Sequence, residues 1–380
     1  MRLRDRLPNY LELPNSEADF IIYKSGTLTK AYNTLTGEVQ YSETNADVAI
    51  NGAISRLTNG GRIYCRPGEY NLHAPIDFGT KVIELEGVGG GVTTHPDAYP
   101  NTYFKLHADL GADYMIKAGV DNTATDGIKI KGIVMDIDED VACLGGIHLV
   151  NANHCVISDV WIGYVYNTAT PGYAINLERT VGDSAYYPTI QNCNLHYNTV
   201  GIRLGEGANA GKIIGGQITG RAAVATTGLL IDGASTLTLL GPCDLEAHSH
   251  ASGIGLNIQT STAHCFHNLR CEGNTLDVNI AAGGSANRFF GGIFTTVTDV
   301  GTTKSRYFGV VGYVTEMMYE AIGTGAQQTI AHGMNATPRI VLLTDKDNGA
   351  LANLTADADA TNIYPTAVLN KKFYWYVRKY

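Results

Sequence analysis

The chain is poor in charge, with only 17% Asp, Glu, Lys and Arg, and it has no long apolar run. No stretch approaches the roughly 20 residues a membrane-spanning helix needs. The start, from Met1 to Phe20, alternates charge with apolar residues and lacks an apolar core of signal-peptide length, so Sec-type export is not expected. Clustered basic residues are missing as well. The net charge is −9, and the 27 Lys and Arg form no patch of the kind that nucleic acid or an anionic membrane surface rewards. The seven cysteines, Cys65, Cys143, Cys155, Cys193, Cys243, Cys265 and Cys271, contain no CxxC pair and no His-rich partner motif. Neither a zinc site nor a disulfide framework is indicated, and most of the seven read as small buried apolar residues.

What is abundant is glycine, with 44 residues, and tyrosine, whose 22 copies outnumber the 9 phenylalanines. Such a composition suits short strands and tight turns rather than helical bundles. A motif recurs from the middle of the chain: Gly146-Ile147-His148-Leu149, Ala174-Ile175-Asn176-Leu177, Gly201-Ile202-Arg203-Leu204, Gly228-Leu229-Leu230-Ile231, Gly253-Ile254-Gly255-Leu256 and Asp277-Val278-Asn279-Ile280. The copies start roughly 24 to 28 residues apart, the range of solenoid repeats. Each is followed by a second alternating segment: Ile157 to Ile162, Ile190 to Leu195, Ile213 to Ile218, Leu240 to Leu245, Phe266 to Cys271 and Phe290 to Thr295.

Alternation with period 2 excludes a helical solenoid, and propeller blades need longer repeats of roughly 40 residues. The predicted fold is therefore all-β, a right-handed single-stranded parallel β-helix in which each coil buries its inward residues against the next. One expected inward column is Ile147, Ile175, Ile202, Leu229, Ile254 and Val278. The other is Val160, Cys193, Cys243, Leu269 and Ile293, interrupted at Gly216 or Gln217. Before the repeats, Val48, Ile50, Ile54 and Leu57 fall near helical spacing and predict an amphipathic helix that caps the open end.

The run from Ala49 through Gly60-Gly61-Arg62-Ile63, Arg66-Pro67-Gly68-Glu69-Tyr70 and Pro75-Ile76-Asp77-Phe78 to Gly87-Val88-Gly89-Gly90-Gly91-Val92-Thr93 resembles the N-terminal cap and first coils of pectate-lyase-superfamily proteins and viral tailspikes. The Gly-rich segment carries one glycine more than that pattern, and the resemblance makes it structural rather than a nucleotide site. Near the end, Ile330-Ala331-His332-Gly333, Thr337-Pro338, Ala358-Asp359-Ala360-Thr361-Asn362-Ile363 and Phe373-Tyr374-Trp375-Tyr376-Val377 resemble the small β-sandwich that closes many phage tail fibres and tailspikes. That resemblance implies a trimerising or receptor-contacting tip, with His332 structural. The expected organisation is a segment 1–44 for attachment or oligomer contact, the β-helix at 45–300, a linker at 301–320 and the sandwich tip at 321–380.

In a parallel β-helix a site arises where outward residues of neighbouring coils align, about 4.8 Å apart. Counting outward from the apolar anchors gives the row Trp161, Asn194, Gln217, Asp244, Arg270, and beside it Gly163, His196, Thr219, Glu246, Glu272. Asp244, Glu246 and Glu272 are the candidate catalytic residues. Asp244 and Glu246 stand two residues apart on a strand, roughly 6.5 to 7 Å, within the carboxylate separation of an inverting glycosidase. Glu246 and Glu272 stand closer, which favours one protonated acid. The competing reading is that Arg270 simply neutralises surface carboxylates. Candidate substrate-binding residues are Arg270, His196, Gln217, Asn194, Arg203 and Tyr187.

A second candidate group is His148, Asn176 and Arg203 with Glu178 and Asp232. Tyr186, Tyr187 and Tyr197 offer sugar-stacking faces. The acidic run Asp136-Ile137-Asp138-Glu139-Asp140 supplies hard oxygen donors for Ca²⁺, but it lacks the spacing of a dedicated loop and reads as a solvated turn. No cofactor is expected. The expected protein is a homotrimeric, tailspike-like virion component that binds and depolymerises a cell-surface polysaccharide as a glycoside hydrolase or polysaccharide lyase. It would contact other tail proteins through its N-terminal segment, and it would neither bind nucleic acid nor insert into membrane. The alternatives are a secreted lyase or hydrolase of pectate-lyase type and a non-catalytic glycan-binding adhesin or fibre.

Overall fold

The computed structural model describes residues 18–89, 101–120, 123–137, 141–165, 172–180, 185–233, 239–313, 316–322, 324, 326–331, 340–345, 355–358, 362–366 and 372–378. Gly90 to Thr93, Asp138 to Asp140 and His332 lie outside the described residues. The fold is a right-handed parallel β-helix with three strands per coil, and the chain divides into two compact units, 1–198 and 199–380.

In the first unit the helix Ala46–Arg56 precedes the coils. Its packed face is Ala46, Ala49, Ile50, Ala53 and Ile54, so the expected Ile50, Ile54 and Leu57 are buried, whereas Val48 is 45% exposed and lies off that face. Small residues let the helix sit close to the coil beneath it. Asp47 accepts the His73 backbone N–H at 2.8 Å, and Asn51 accepts that of Asp77 at 3.0 Å while donating to the Pro75 carbonyl at 2.8 Å. Strands Phe20–Ser25, Leu28–Asn33 and Glu38–Glu43 form an antiparallel meander, and Phe20–Ser25 joins the coils by parallel pairing with Gly60–Cys65.

From there the first sheet runs through Val82–Glu86, Lys129–Lys131, Val156–Ser158 and Thr189–Gln191. The second runs through Gly68–Leu72, Thr102–Leu106, Ile133–Ile137, Trp161–Gly163 and Asn194–His196. The third runs through Ile76–Asp77, Tyr114–Ala118, Gly145–Val150 and Tyr173–Glu178.

The second unit repeats the plan. Its first sheet holds Lys212–Ile214, Leu239–Leu240, Cys265–His267, Arg288–Phe290 and Arg306–Phe308. Its second holds Gln217–Thr219, Cys243–Glu246, Leu269–Glu272, Ile293–Phe294 and Val311–Gly312. Its third holds Val200–Leu204, Thr227–Ile231, Ile254–Ile258, Leu276–Ile280 and Val297–Asp299. Parallel pairing thus continues to Gly312. Beyond it, strands Glu316–Ile322, Lys372–Arg378 and Ile340–Asp345 form one antiparallel sheet and Ile330–Ala331, Asn362–Thr366 and Thr355–Ala358 another. Leu343, Phe373, Trp375 and Val377 of the one share a buried cluster with Ile363 of the other.

Each alternating segment read from sequence is two strands that meet at a corner, and the corner has a constant length. Four residues separate the inward anchor of the first sheet from the outward residue of the second: Ile157 to Trp161 and Ile190 to Asn194 in the first unit, Ile213 to Gln217, Leu240 to Asp244, Phe266 to Arg270 and Phe289 to Ile293 in the second. In five of these six corners the middle residue takes a left-handed backbone, with φ 54° at Asp159, 51° at Asn192, 70° at Gly215, 51° at Asn268 and 67° at Gly291, while the Leu240 to Asp244 corner has Pro242 there after a cis bond from Gly241. Gly, Asn and Asp are the residues that adopt the left-handed backbone at least cost.

The constant corner corrects two expected column members. Ile293 pairs with Arg270, points outward and is 48% exposed, so Gly292 takes the column place after Leu269 and Phe294 is the buried residue of that strand. Ile254 pairs with Thr227, and it is Leu256 that follows Leu229 and precedes Val278. The other expected members, Ile147 over Ile175 in the first unit and Ile202 over Leu229 in the second, stand in register.

The core of the second unit is partly aromatic and partly polar. Phe266, Phe289 and Tyr307 stack inward at 4.4 and 4.8 Å. Beside them His264, Asn287 and Ser305 are buried and linked, Asn287 accepting the His264 backbone N–H at 3.2 Å. Cys65, Cys143, Cys155, Cys193, Cys243 and Cys271 are buried and unbridged, and burial pushes the Cys143, Cys155 and Cys193 thiols up to about 12.

Two outcomes follow from this packing. Phe289→Ala should lower stability in urea melts by about 3 to 5 kcal/mol, whereas Ile293→Ala should change it by no more than about 0.5 kcal/mol. Burial also lowers the pKa of His248 and His264 from 6.5 to about 4, so both are neutral in the folded state. Their contribution is complete above the unfolded value of 6.5 and is lost as pH falls toward 4, about 3 kcal/mol for each histidine. Urea melts taken across that window should show the fall, with a shallower slope for His264→Gln.

Candidate functional site

The second sheet of the second unit presents its outward residues in two rows. Gln217, Asp244 and Arg270 align across three strands, and Thr219, Glu246 and Glu272 align two residues further on. The expected carboxylates therefore share one face, with Glu246 and Glu272 one strand spacing apart. Arg270 Nη1 donates to Asp244 Oδ2 at 3.3 Å, and its Nη2 donates to Glu272. Gln217 Nε2 donates to Glu246 Oε1. The carboxylates raise the already high pKa of Arg270, Glu272 more than Asp244.

The side chains of Asp244, Arg270 and Glu272 are 39%, 44% and 61% exposed. Exposed ion pairs add little to folding stability, so the fold does not depend on this arrangement. A ligand can replace the mutual contacts of these groups at small cost. In the same unit Arg203 aligns with Leu230 on the third sheet and pairs with Asp232 at 3.3 Å.

The first unit carries the rest of the expected site. Trp161 aligns with Asn194, and Gly163 with His196. Trp161 points outward but is only 2% exposed, because it packs with Tyr103 and Val134 in a cluster outside the coil core. Its indole lies across Gly163, where a Cβ would come within 2.2 Å of the ring, and stacks on His196 at 5.7 Å. Burial lowers the pKa of His196. Trp161 Nε1 has no hydrogen-bond partner among the described residues. Tyr187 is exposed at a corner of the coils. Asp136, from the acidic run, accepts the Tyr103 hydroxyl, and among the described residues no group of three or more His, Cys, Asp or Glu is arranged to hold a metal ion.

On the third sheet of the first unit Lys117, His148 and Asn176 align. His148 Nε2 meets Glu178 Oε1 at 2.7 Å, and its ring stacks on Tyr114 at 4.5 Å. Asn176 Nδ2 donates to the Tyr114 hydroxyl at 3.0 Å, and Lys117 Nζ donates to Asp113 at 2.7 Å. Sequence reasoning found His148, Asn176 and Glu178 but not Asp113, Tyr114 and Lys117. Ile116 stands in the Ile147 column, but its copy, Met115-Ile116-Lys117-Ala118, ends in alanine where the copies read from sequence end in Leu or Ile.

No protein-family model matches the chain, and no curated protein matches it. Among solved structures it is similar to ORF18 of Geobacillus virus E2, at 13% identity over 90% of this chain and 83% of that one, with a TM-score of 0.39. It is similar to tailspike protein gp49 from Acinetobacter baumannii bacteriophage Fri1, a capsular polysaccharide depolymerase, at 9% identity over 87% and 81%, with a TM-score of 0.39. It is also similar to DFA-IIIase from Arthrobacter chlorophenolicus A6 in complex with GF2, at 12% identity over 66% and 77%, with a TM-score of 0.36. At these values the likenesses assign no activity to this chain.

Proposed function

We propose that this chain is a tailspike-like virion protein that binds a cell-surface polysaccharide and depolymerises it on the outward face of the second unit. The observation that carries the reading is the strand register that brings Asp244, Glu246 and Glu272 onto one open face of an elongated stack. Extended polymers suit such a surface, since successive sugars meet successive coils. The virion assignment rests on the resemblance of the sequence at its cap and its closing sandwich, and a homotrimer follows from the same resemblance.

In this reading Glu246 and Asp244 serve as acid and base across a bound water, and Glu272 adjusts the charge around Glu246. Gln217 orients Glu246. Arg270 releases one carboxylate to substrate as it turns to a sugar oxygen, and the arriving polymer excludes water from the patch. Arg203 is assigned to substrate contacts in the second unit, and His196, Asn194 and Tyr187 to glycan contacts made by the first unit itself.

Purified protein incubated with capsular and exopolysaccharides should lower viscosity and release new ends. A rise in near-ultraviolet absorbance identifies lyase action, and reducing ends alone identify hydrolysis. Glu246→Gln and Asp244→Asn should each reduce the rate at least a hundredfold. Unchanged depolymerisation in both variants removes Glu246 and Asp244 as the acid and base, and binding without cleavage by the parent protein leaves an adhesin.

A further inference from the structure

We infer that His154, Tyr186 and Tyr187, with the carboxylate of Asp126 beside them, form a saccharide-binding platform on the first unit. The inference deepens the glycan reading above and rests on it, but it concerns residues separate from the carboxylate patch.

The argument starts at the corner by which the chain enters the first sheet. There a single residue takes the left-handed conformation two positions before the strand. In the first unit these residues are Gly127, His154 and Tyr187, with φ of 84°, 49° and 57°. In the second unit Ala210, Ala263 and Ala286 do the same task at 53°, 64° and 57°. Glycine or alanine therefore suffices to turn this corner. A bulky side chain held in this conformation carries backbone strain.

Burial does not offset that strain. Tyr187 is 55% exposed, Tyr186 is 42% exposed, and the His154 side chain is 60% exposed. The rings nevertheless have a definite arrangement. His154 and Tyr187 lie nearly parallel, 15° apart with centroids at 5.2 Å, and Tyr186 stands at 44° to Tyr187 with centroids at 6.1 Å. The residue that aligns with His154 in the preceding coil is Gly127, which has no side chain to stack on the ring.

Polar groups frame the rings. His154 Nδ1 meets Asp126 Oδ1 at 2.7 Å, and the Asp126 side chain is 67% exposed. Asp126 and Asn153 stand in register on a short parallel pair, and Asn153 Oδ1 accepts the Tyr186 backbone N–H at 2.9 Å, which fixes that tyrosine in place. Exposed aromatic faces with a carboxylate at their rim match a pyranose, whose C–H face is apolar and whose hydroxyls donate hydrogen bonds. The carboxylate favours neutral or amino sugars over uronates.

The test uses the full chain on an array of neutral, amino-sugar and uronate oligosaccharides. Neutral or amino-sugar members should bind, and Tyr187→Gly and Tyr186→Ala should each weaken that binding at least tenfold. Because glycine relieves the corner, Tyr187→Gly should keep or raise Tm, whereas a purely structural ring would lower Tm and leave the array profile intact. An unchanged profile in Tyr187→Gly, a blank array for the parent, or binding confined to uronates overturns the platform. Cleavage lost in Glu246→Gln alongside an unchanged Tyr187→Gly profile would sink the platform alone, and the reverse pattern would sink the assignment of Glu246 alone.

Discussion

From Ile157 onward the fold depends on turning the chain from the first sheet into the second over the same number of residues in successive coils. Side chains on a strand alternate between faces, so one residue more or less at a corner would exchange inside for outside along everything that follows. The four-residue interval from Ile157 to Trp161 recurs from Phe289 to Ile293, and the left-handed residue at its middle makes the turn tight enough for parallel strands to stack. Stacked aliphatics and aromatics then supply the burial that no coil can achieve alone. The chemistry on the outside is a by-product of this regularity. Asp244 and Arg270, 26 residues apart, meet because both stand four residues from an inward anchor.

That same regularity decided how much could be read from the sequence. The short repeats mark the third sheet, and outward counting from the apolar anchors places Gln217, Asp244 and Arg270 in the row that the strand register shows. Where apolarity was followed instead of the count, the reading slipped. Ile293 was drawn into a core column because Gly292, the residue that belongs there, has no side chain to announce itself. Ile254 was preferred to Leu256 because glycines at 253 and 255 both precede an aliphatic residue, and only pairing distinguishes them.

Outward also proved different from exposed. Trp161 occupies the outward row that the count assigned, yet Tyr103 and Val134 enclose it in a second apolar cluster. Such enclosure depends on neighbours three coils deep and leaves no local pattern. The cluster of Asp113, Tyr114 and Lys117 was hidden for a related reason, since its members meet His148 and Asn176 only through strand register. The carboxylates of the second unit also meet through register, but there the spacing from the apolar anchors gives that register directly.

The unbridged cysteines have a practical corollary. Six of the seven are enclosed, in both units, and Cys265 is only partly so. A thiolate is the reactive form, and burial suppresses it. Labelling reagents will therefore reach these sulfurs only when a coil opens, and the order in which Cys65, Cys143, Cys155, Cys193, Cys243 and Cys271 become modified records where along the stack the structure first comes apart.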